Sequence, residues 1–192
     1  TAPVGTQRIY SSAGFEVLAE TISAATEIKL DEYMREAVCE PLHMTRTVLA
    51  GPAGHGARSC VADLSVFAAD LLAPTLMSAE LHARATSVQF GGLDGFVPGY
   101  GKHRPNDWGL GFEIRSSKTP HWTGANNSPA TFGHFGQAGT FLWVDPVLDA
   151  ACVVLTDRPF GAWARPLWSD FNASVVAGLQ AGQWDVVMSG LG

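Results

Sequence analysis

Cysteine is rare in this chain: Cys39, Cys60 and Cys152 are odd in number, far apart and form no C-x-x-C pair. That excludes a disulfide framework and a cysteine zinc site, and each thiol reads as a small buried apolar side chain. The six histidines fall in no ligand spacing such as H-E-x-x-H, so neither a metal nor any other cofactor is expected. Basic residues are outnumbered, 12 Lys and Arg against 18 Asp and Glu, for a net charge of −6. Nucleic acid is thereby excluded as a partner, because phosphate binding needs a basic face. No apolar run reaches the roughly 18 residues of a membrane span. No basic segment followed by an apolar one opens the chain in the manner of a signal peptide. The first residue is Thr1 rather than Met, which leaves room for a natural start upstream and keeps the compartment open.

What the chain does have is a change of period. Apolar residues make up 46% of its 192 positions and charged ones 16%, a globular balance with length enough for one sizeable core. After a Pro/Gly turn at 3–6, Phe15, Leu18, Ala19 and Ile22 recur at helical spacing from about Ser11. A second helix is predicted over 31–39, with Leu30, Tyr33, Met34, Ala37 and Val38 as its stripe, stopping before Pro41. Residues 51–56 read as a loop. Ser59 reads as the N-cap of a third helix that buries Leu64, Phe67, Ala68, Leu71 and Leu72. Residues 90–106 are rich in Gly, Pro and polar side chains and read as irregular surface. Strands are predicted at 108–114, 139–144 and 150–155, with Asp145-Pro146 starting the turn before the last. Ala164, Leu167, Trp168, Phe171, Val175 and Leu179 then mark a helix that covers one sheet face. The class is α+β: a helical region over 1–107, and antiparallel strands with a C-terminal helix over 108–192, both parts of one domain.

Two segments suggest chemistry. The first is Pro3-x-Gly5-Thr6-x-x-x-Tyr10-Ser11-Ser12-x-Gly14-Phe15. A Tyr at a helix mouth can simply anchor the turn, its ring buried and its hydroxyl wet. It can also serve as a base, because the positive helix end and a nearby cation draw a phenol below its usual value of about 10. The second is Phe132-Gly133-His134-Phe135-Gly136-Gln137-Ala138-Gly139-Thr140. Its small residues let a strand edge approach a ligand closely, and they also suit a plain sheet bend with a solvent-facing His.

Together, in this order and separation, the two segments resemble the second and third motifs of the serine β-lactamase, penicillin-binding protein and esterase family. That family carries S-x-x-K, then Y-x-N or S-x-N, then K-T-G or a His variant such as H-x-G. Further likenesses are Pro41-Leu42-His43-Met44 to P-L-G-M, Ser59-x-x-Ala62-Asp63-Leu64 to S-T-x-x-D-L, Trp108-Gly109-Leu110-Gly111-Phe112 to Y-G-L-G-F, and Leu155-Thr156-Asp157-Arg158 to L-T-N-R. The resemblance runs over about residues 3–179. It implies a β-lactamase/transpeptidase-like fold and acyl transfer through a serine, on a small-molecule ester, amide or peptide substrate. Tyr10 would act as general base and acid, Ser12 would hold the substrate or a catalytic lysine, and His134 would supply a hydrogen bond or positive charge from the opposite wall. Gly136, Gln137 and Phe135 would be its oxyanion and substrate-binding positions, with the Gln137 N–H as half of an oxyanion hole.

The sequence departs from that pattern in three ways. It contains no Ser-x-x-Lys: Thr26, Gly99 and Arg115 stand three places before Lys29, Lys102 and Lys118. The resemblance therefore implies a nucleophile segment, with one or two strands, upstream of Thr1. Lys118-Thr119-Pro120 mimics K-T-G but reads as loop, since Pro would remove a ladder donor. Phe135 stands where a hydroxyl is usual, which suits an ester or amide with an apolar acyl group lined by Phe135 and by Trp108 or Trp122. The competing readings are a non-catalytic module that binds a peptidoglycan-like or acyl ligand, and an interaction domain whose motif matches are chance. An uncovered sheet edge predicts a homodimer, strand exchange or aggregation.

Overall fold

A computed structural model describes residues 2–183. Its main sheet has four antiparallel strands in the order β6-β7-β8-β9: Glu113–Ile114, Phe132–Gly136, Thr140–Asp145 and Ala150–Val154. Alternation along β8 explains the layering. Phe141 and Trp143 face one side, where they meet Phe135, Trp122, Trp168 and Val176. Val144 faces the other side, with Ile114, Phe132 and Leu71 as neighbours. The first face is covered by α5 (Ala164–Gln180) and the second by α3 (Val61–Leu72). Gly139 lets β7 turn into β8: its φ is +81°, and a Cβ there would sit 1.9 Å from the Arg158 carbonyl oxygen.

The sheet turn after β8 is built by one carboxylate. Asp145 is buried and accepts from the Ser128 N–H and hydroxyl (2.7 and 2.6 Å), the Thr131 hydroxyl (2.8 Å) and the Val147 N–H (3.1 Å). Those bonds hold its carboxyl below the usual range although burial pushes it up.

The helical region begins with α1 (Ser12–Thr26) and α2 (Leu30–Met34), whose last turn continues in π geometry over Arg35–Cys39. Small ladders flank it. β1 (Gln7–Arg8) pairs in parallel with β4 (Asp94–Val97), which pairs with β5 (Gly101–His103), and β2 (Val48–Leu49) pairs with β3 (Ala57–Arg58). A short α4 (Ala79–Ala85) follows Ser78, whose hydroxyl caps it by accepting from the Leu81 N–H at 3.2 Å. Among the described residues no helix is long and apolar enough to cross a membrane.

Several sequence expectations change here. Ser59 is not the cap of α3: that position is Cys60, and the Ser59 hydroxyl shares a hydrogen bond with Thr47 at 2.7 Å. The segment 90–106 holds the β4–β5 hairpin, and of 108–114 only Glu113–Ile114 is strand, because Gly111 takes a φ of +86° and bends the chain. The stripe of α5 is shifted. Trp168, Asn172 and Val176 are buried while Leu167 and Phe171 stay exposed, since Asn172 accepts from the Trp143 indole N–H (2.9 Å) and donates to the Trp122 carbonyl (3.0 Å). Of the thiols, Cys39 is buried, and Cys60 and Cys152 are half-buried.

Candidate active site

The two motif segments meet. Tyr10 precedes α1, His134 lies mid-strand on β7, and their ring centroids are 5.9 Å apart with planes inclined 26°. Trp108 closes the group at 5.5 Å from His134 and 6.2 Å from Tyr10. The register explains the pointing of His134. Phe132 and His134 share a face, while Gly133 and Phe135 project to the α5 side. A cavity of about 190 Å³ is lined by Tyr10, Ser12, Phe15, Gly54, Gly111 and His134, among others. A neighbouring one of about 270 Å³ shares Tyr10, Phe15 and Gly111 and reaches Trp108 and Leu18.

Ser12 is exposed in the first turn of α1. Against it rests the loop 51–56, where a Cβ on Gly54 would lie 2.8 Å from the Ser12 Cβ. Glu16, one turn along α1, clamps that loop: its carboxylate accepts from the Ala53 and Gly54 N–H groups at 3.1 and 2.9 Å. Sequence reading saw only a loop at 51–56 and missed this wall of the cleft. A Gly-rich run and an acid one turn into α1 were the available signal.

Gly136 ends β7 and Gln137 is exposed in the turn beyond it. The Gln137 carbonyl accepts from the Phe160 N–H at 2.9 Å, and among the described residues its own N–H donates to nothing. Phe135 is a correction. At 5% exposure it is packed among Tyr100, Trp122, Phe160 and Trp168, so it fills the core behind β7 rather than lining the cleft. Trp122 is likewise core, and Trp108 alone of the proposed apolar wall stands at the cleft.

The electrostatics also differ from expectation. The Tyr10 phenol is pushed up rather than down, first by burial and then by the Glu113 carboxylate. The His134 imidazole is pushed below its usual value by burial, against a smaller opposing pull from Glu113. It is therefore a neutral hydrogen-bonding group near pH 7 rather than a cation.

Glu113 sits behind the strand, paired in register with Gly133 and 2% exposed. It accepts from the Trp122 indole N–H (2.8 Å), the Lys118 ammonium (3.3 Å) and His121 Nε2–H (3.3 Å). His121 Nδ1 lies 2.7 Å from the Thr123 hydroxyl and accepts from the Thr123 N–H at 3.2 Å, which fixes the neutral Nε2–H tautomer. Lys118 also donates to the carbonyls of Asp107 (2.7 Å) and Ile114. The lysine set aside as a mimic thus lies in a loop, as expected, but is a buried partner of Glu113 and takes no part in the cleft.

A model of the β-lactamase family matches residues 1–177. A solved β-lactamase from Mycobacterium bovis is 59% identical with a TM-score of 0.91, over 93% of this chain and 66% of that one. A β-lactamase/D-alanine carboxypeptidase from Yersinia pestis, solved with citrate, is 20% identical with a TM-score of 0.65, over 95% of this chain and 57% of that one. A putative D-alanyl-D-alanine carboxypeptidase of Salmonella enteritidis PT4 is 26% identical, over 84% of this chain and 48% of the relative. The chain thus spans about half the length of the curated relatives it matches.

Proposed function

The chain belongs to the β-lactamase family and has its fold of helices around an antiparallel sheet, and on that premise we propose that it forms the Tyr10–His134 half of a serine hydrolase active site. The reaction is acyl transfer from an ester, amide or D-amino-acid-type peptide to a serine, and from there to water. The single observation carrying this reading is the meeting of Tyr10 and His134, 5.9 Å apart, on one cleft. The nucleophile comes from an S-x-x-K segment outside this sequence.

In this reading the Tyr10 oxygen takes the serine proton as the serine attacks the substrate carbonyl, and returns it to the leaving group. The Gln137 N–H, without another partner among the described residues, receives the developing oxyanion. His134, neutral, donates one hydrogen bond to substrate. In this chain the phenol is raised, so the base role needs a cation beside it, and the lysine of S-x-x-K is that cation. Trp108 and Phe15 favour an apolar acyl group over a carboxylate-bearing β-lactam.

The test is the longer reading frame, expressed with its upstream segment. Stoichiometric labelling by a fluorophosphonate and turnover of short p-nitrophenyl esters are expected, with Tyr10→Phe slower by about 10²-fold or more. Efficient nitrocefin hydrolysis without esterase activity would overturn the acyl preference. A second reading is favoured by one fact, the missing Ser-x-x-Lys: a non-catalytic module that binds an acyl or peptidoglycan-like ligand. It predicts ligand binding without labelling even in the longer protein.

A further inference from the structure

Behind β7, on the side away from His134, a cavity of about 530 Å³ opens between the loop 115–125 and the first half of α5. Its wall includes Tyr100, Arg115, Thr123, Arg165 and Ser169. Tyr100 packs edge-on against Phe135 (6.0 Å), so a single ring layer separates this cavity from the strand that carries His134.

The charges around it do not cancel. Lys118, which also borders the cavity, is taken up by Glu113, and His121 is neutral. Among the described residues the Arg115 side chain donates only to backbone carbonyls, those of Gly124, Ser116 and Ala125 at 3.2–3.3 Å. The carboxylate that acts on Arg115 is Asp145, which is already saturated by Ser128, Thr131 and the turn N–H groups. Arg165 is exposed and has no carboxylate within 4 Å among the described residues. Two arginines with no carboxylate of their own therefore line one cavity in a protein whose net charge is −6.

A second observation points the same way. Tyr100 is only 5% exposed, yet among the described residues its hydroxyl has no hydrogen-bond partner. A buried, unpaired hydroxyl costs stability unless something completes it. Burial pushes this phenol far up, so it stays protonated and can donate. The site also lies at the amino end of α5, where backbone dipoles favour negative charge.

We infer that this cavity binds a small oxyanion, a carboxylate or phosphate group, gripped by Arg165 and Arg115 with the Tyr100 hydroxyl as a neutral donor. Guanidinium groups match both chemistries through paired N–H donors. The site is distinct from the Tyr10–His134 cleft.

The experiment titrates the chain with inorganic phosphate, citrate and acetate at constant ionic strength, with chloride as the control, followed by calorimetry and thermal melting. Saturable binding of phosphate or of a carboxylate above the chloride baseline is expected. Arg165→Gln, an exposed change that leaves the core intact, should weaken binding by about tenfold or more. Tyr100→Phe should weaken it less and keep the fold, since only a hydroxyl is removed. A preference for phosphate over citrate and acetate assigns a phosphoryl ligand, and the reverse assigns a carboxylate. Equal responses to chloride and the oxyanions, or unchanged binding in Arg165→Gln, would overturn the inference.

Discussion

Replacing Glu113 by Gln should be among the costliest single changes in this protein. The carboxylate is 2% exposed and holds three donors, from Trp122, Lys118 and His121. Desolvation pushes its carboxyl up, but the hydrogen bond from His121, the charge of Lys118 and the Trp122 bond outweigh that and bring it from 4.5 down to about 2. A drop of that size corresponds to about 3 kcal/mol of stability. Because the folded carboxyl titrates below the unfolded one, this contribution is complete above about pH 5 and disappears as the pH falls toward 2. Lys118 behaves oppositely: burial pulls its ammonium down and Glu113 supports it, so the lysine depends on the glutamate more than the reverse. Removing the carboxylate leaves a fully buried cation, and breaking such a pair costs about 3–5 kcal/mol. With a urea slope of about 2 kcal/mol/M, the unfolding midpoint of Glu113→Gln falls by roughly 2 M at pH 7. Lys118→Met should fall less, because Trp122 and His121 still donate to the carboxylate, and the double variant Glu113→Leu/Lys118→Met should recover part of the Glu113→Gln loss. Single variants that cost under about 1 kcal/mol, or a double variant worse than both, would refute the reasoning.

Other expectations follow from the same geometry. Asp145→Ala removes the acceptor for the Ser128, Thr131 and Val147 donors and should cost about 3 kcal/mol or more in urea unfolding. With His134 titrating below its usual value, its imidazole ¹⁵N shifts should stay those of the neutral ring from pH 7 upward and change only on acidification, whereas a ring titrating above pH 7 would contradict the site electrostatics. We propose that the open outer edge of β9, followed by exposed Leu155, drives self-association of the isolated chain. Light scattering at high concentration should show dimers or larger species, and a strict monomer would count against it.

Much of the architecture was legible because hydrophobic period is a local property. The helices near 12–26, 30–39 and 61–72, the strands β8 and β9 and the final helix announce themselves in their spacing, whereas β7 was not read as a strand. The failures came where a partner distant in sequence decided the outcome. Leu167 and Phe171 fit a helical stripe as well as Asn172 does, but only the Trp143 indole and the Trp122 carbonyl make burial of an asparagine favourable. Phe135 was expected at the cleft because it stands where the family motif carries a hydroxyl, yet strand alternation sends it to the face opposite His134. The direction of the Tyr10 shift followed from a cation that this sequence does not supply. Lys118 looked like chance because its partners Glu113 and His121 become visible only once the loop folds back behind β7.

The most direct test is a nuclear Overhauser measurement on the aromatic ring protons of the chain itself. Cross-peaks linking Tyr10 to His134 and to Trp108 are expected, and Tyr10→Leu should erase both. Rings of Tyr10 and His134 that share no cross-peak, while Phe135 and Trp168 show theirs, would mean that the sheet has formed without the cleft.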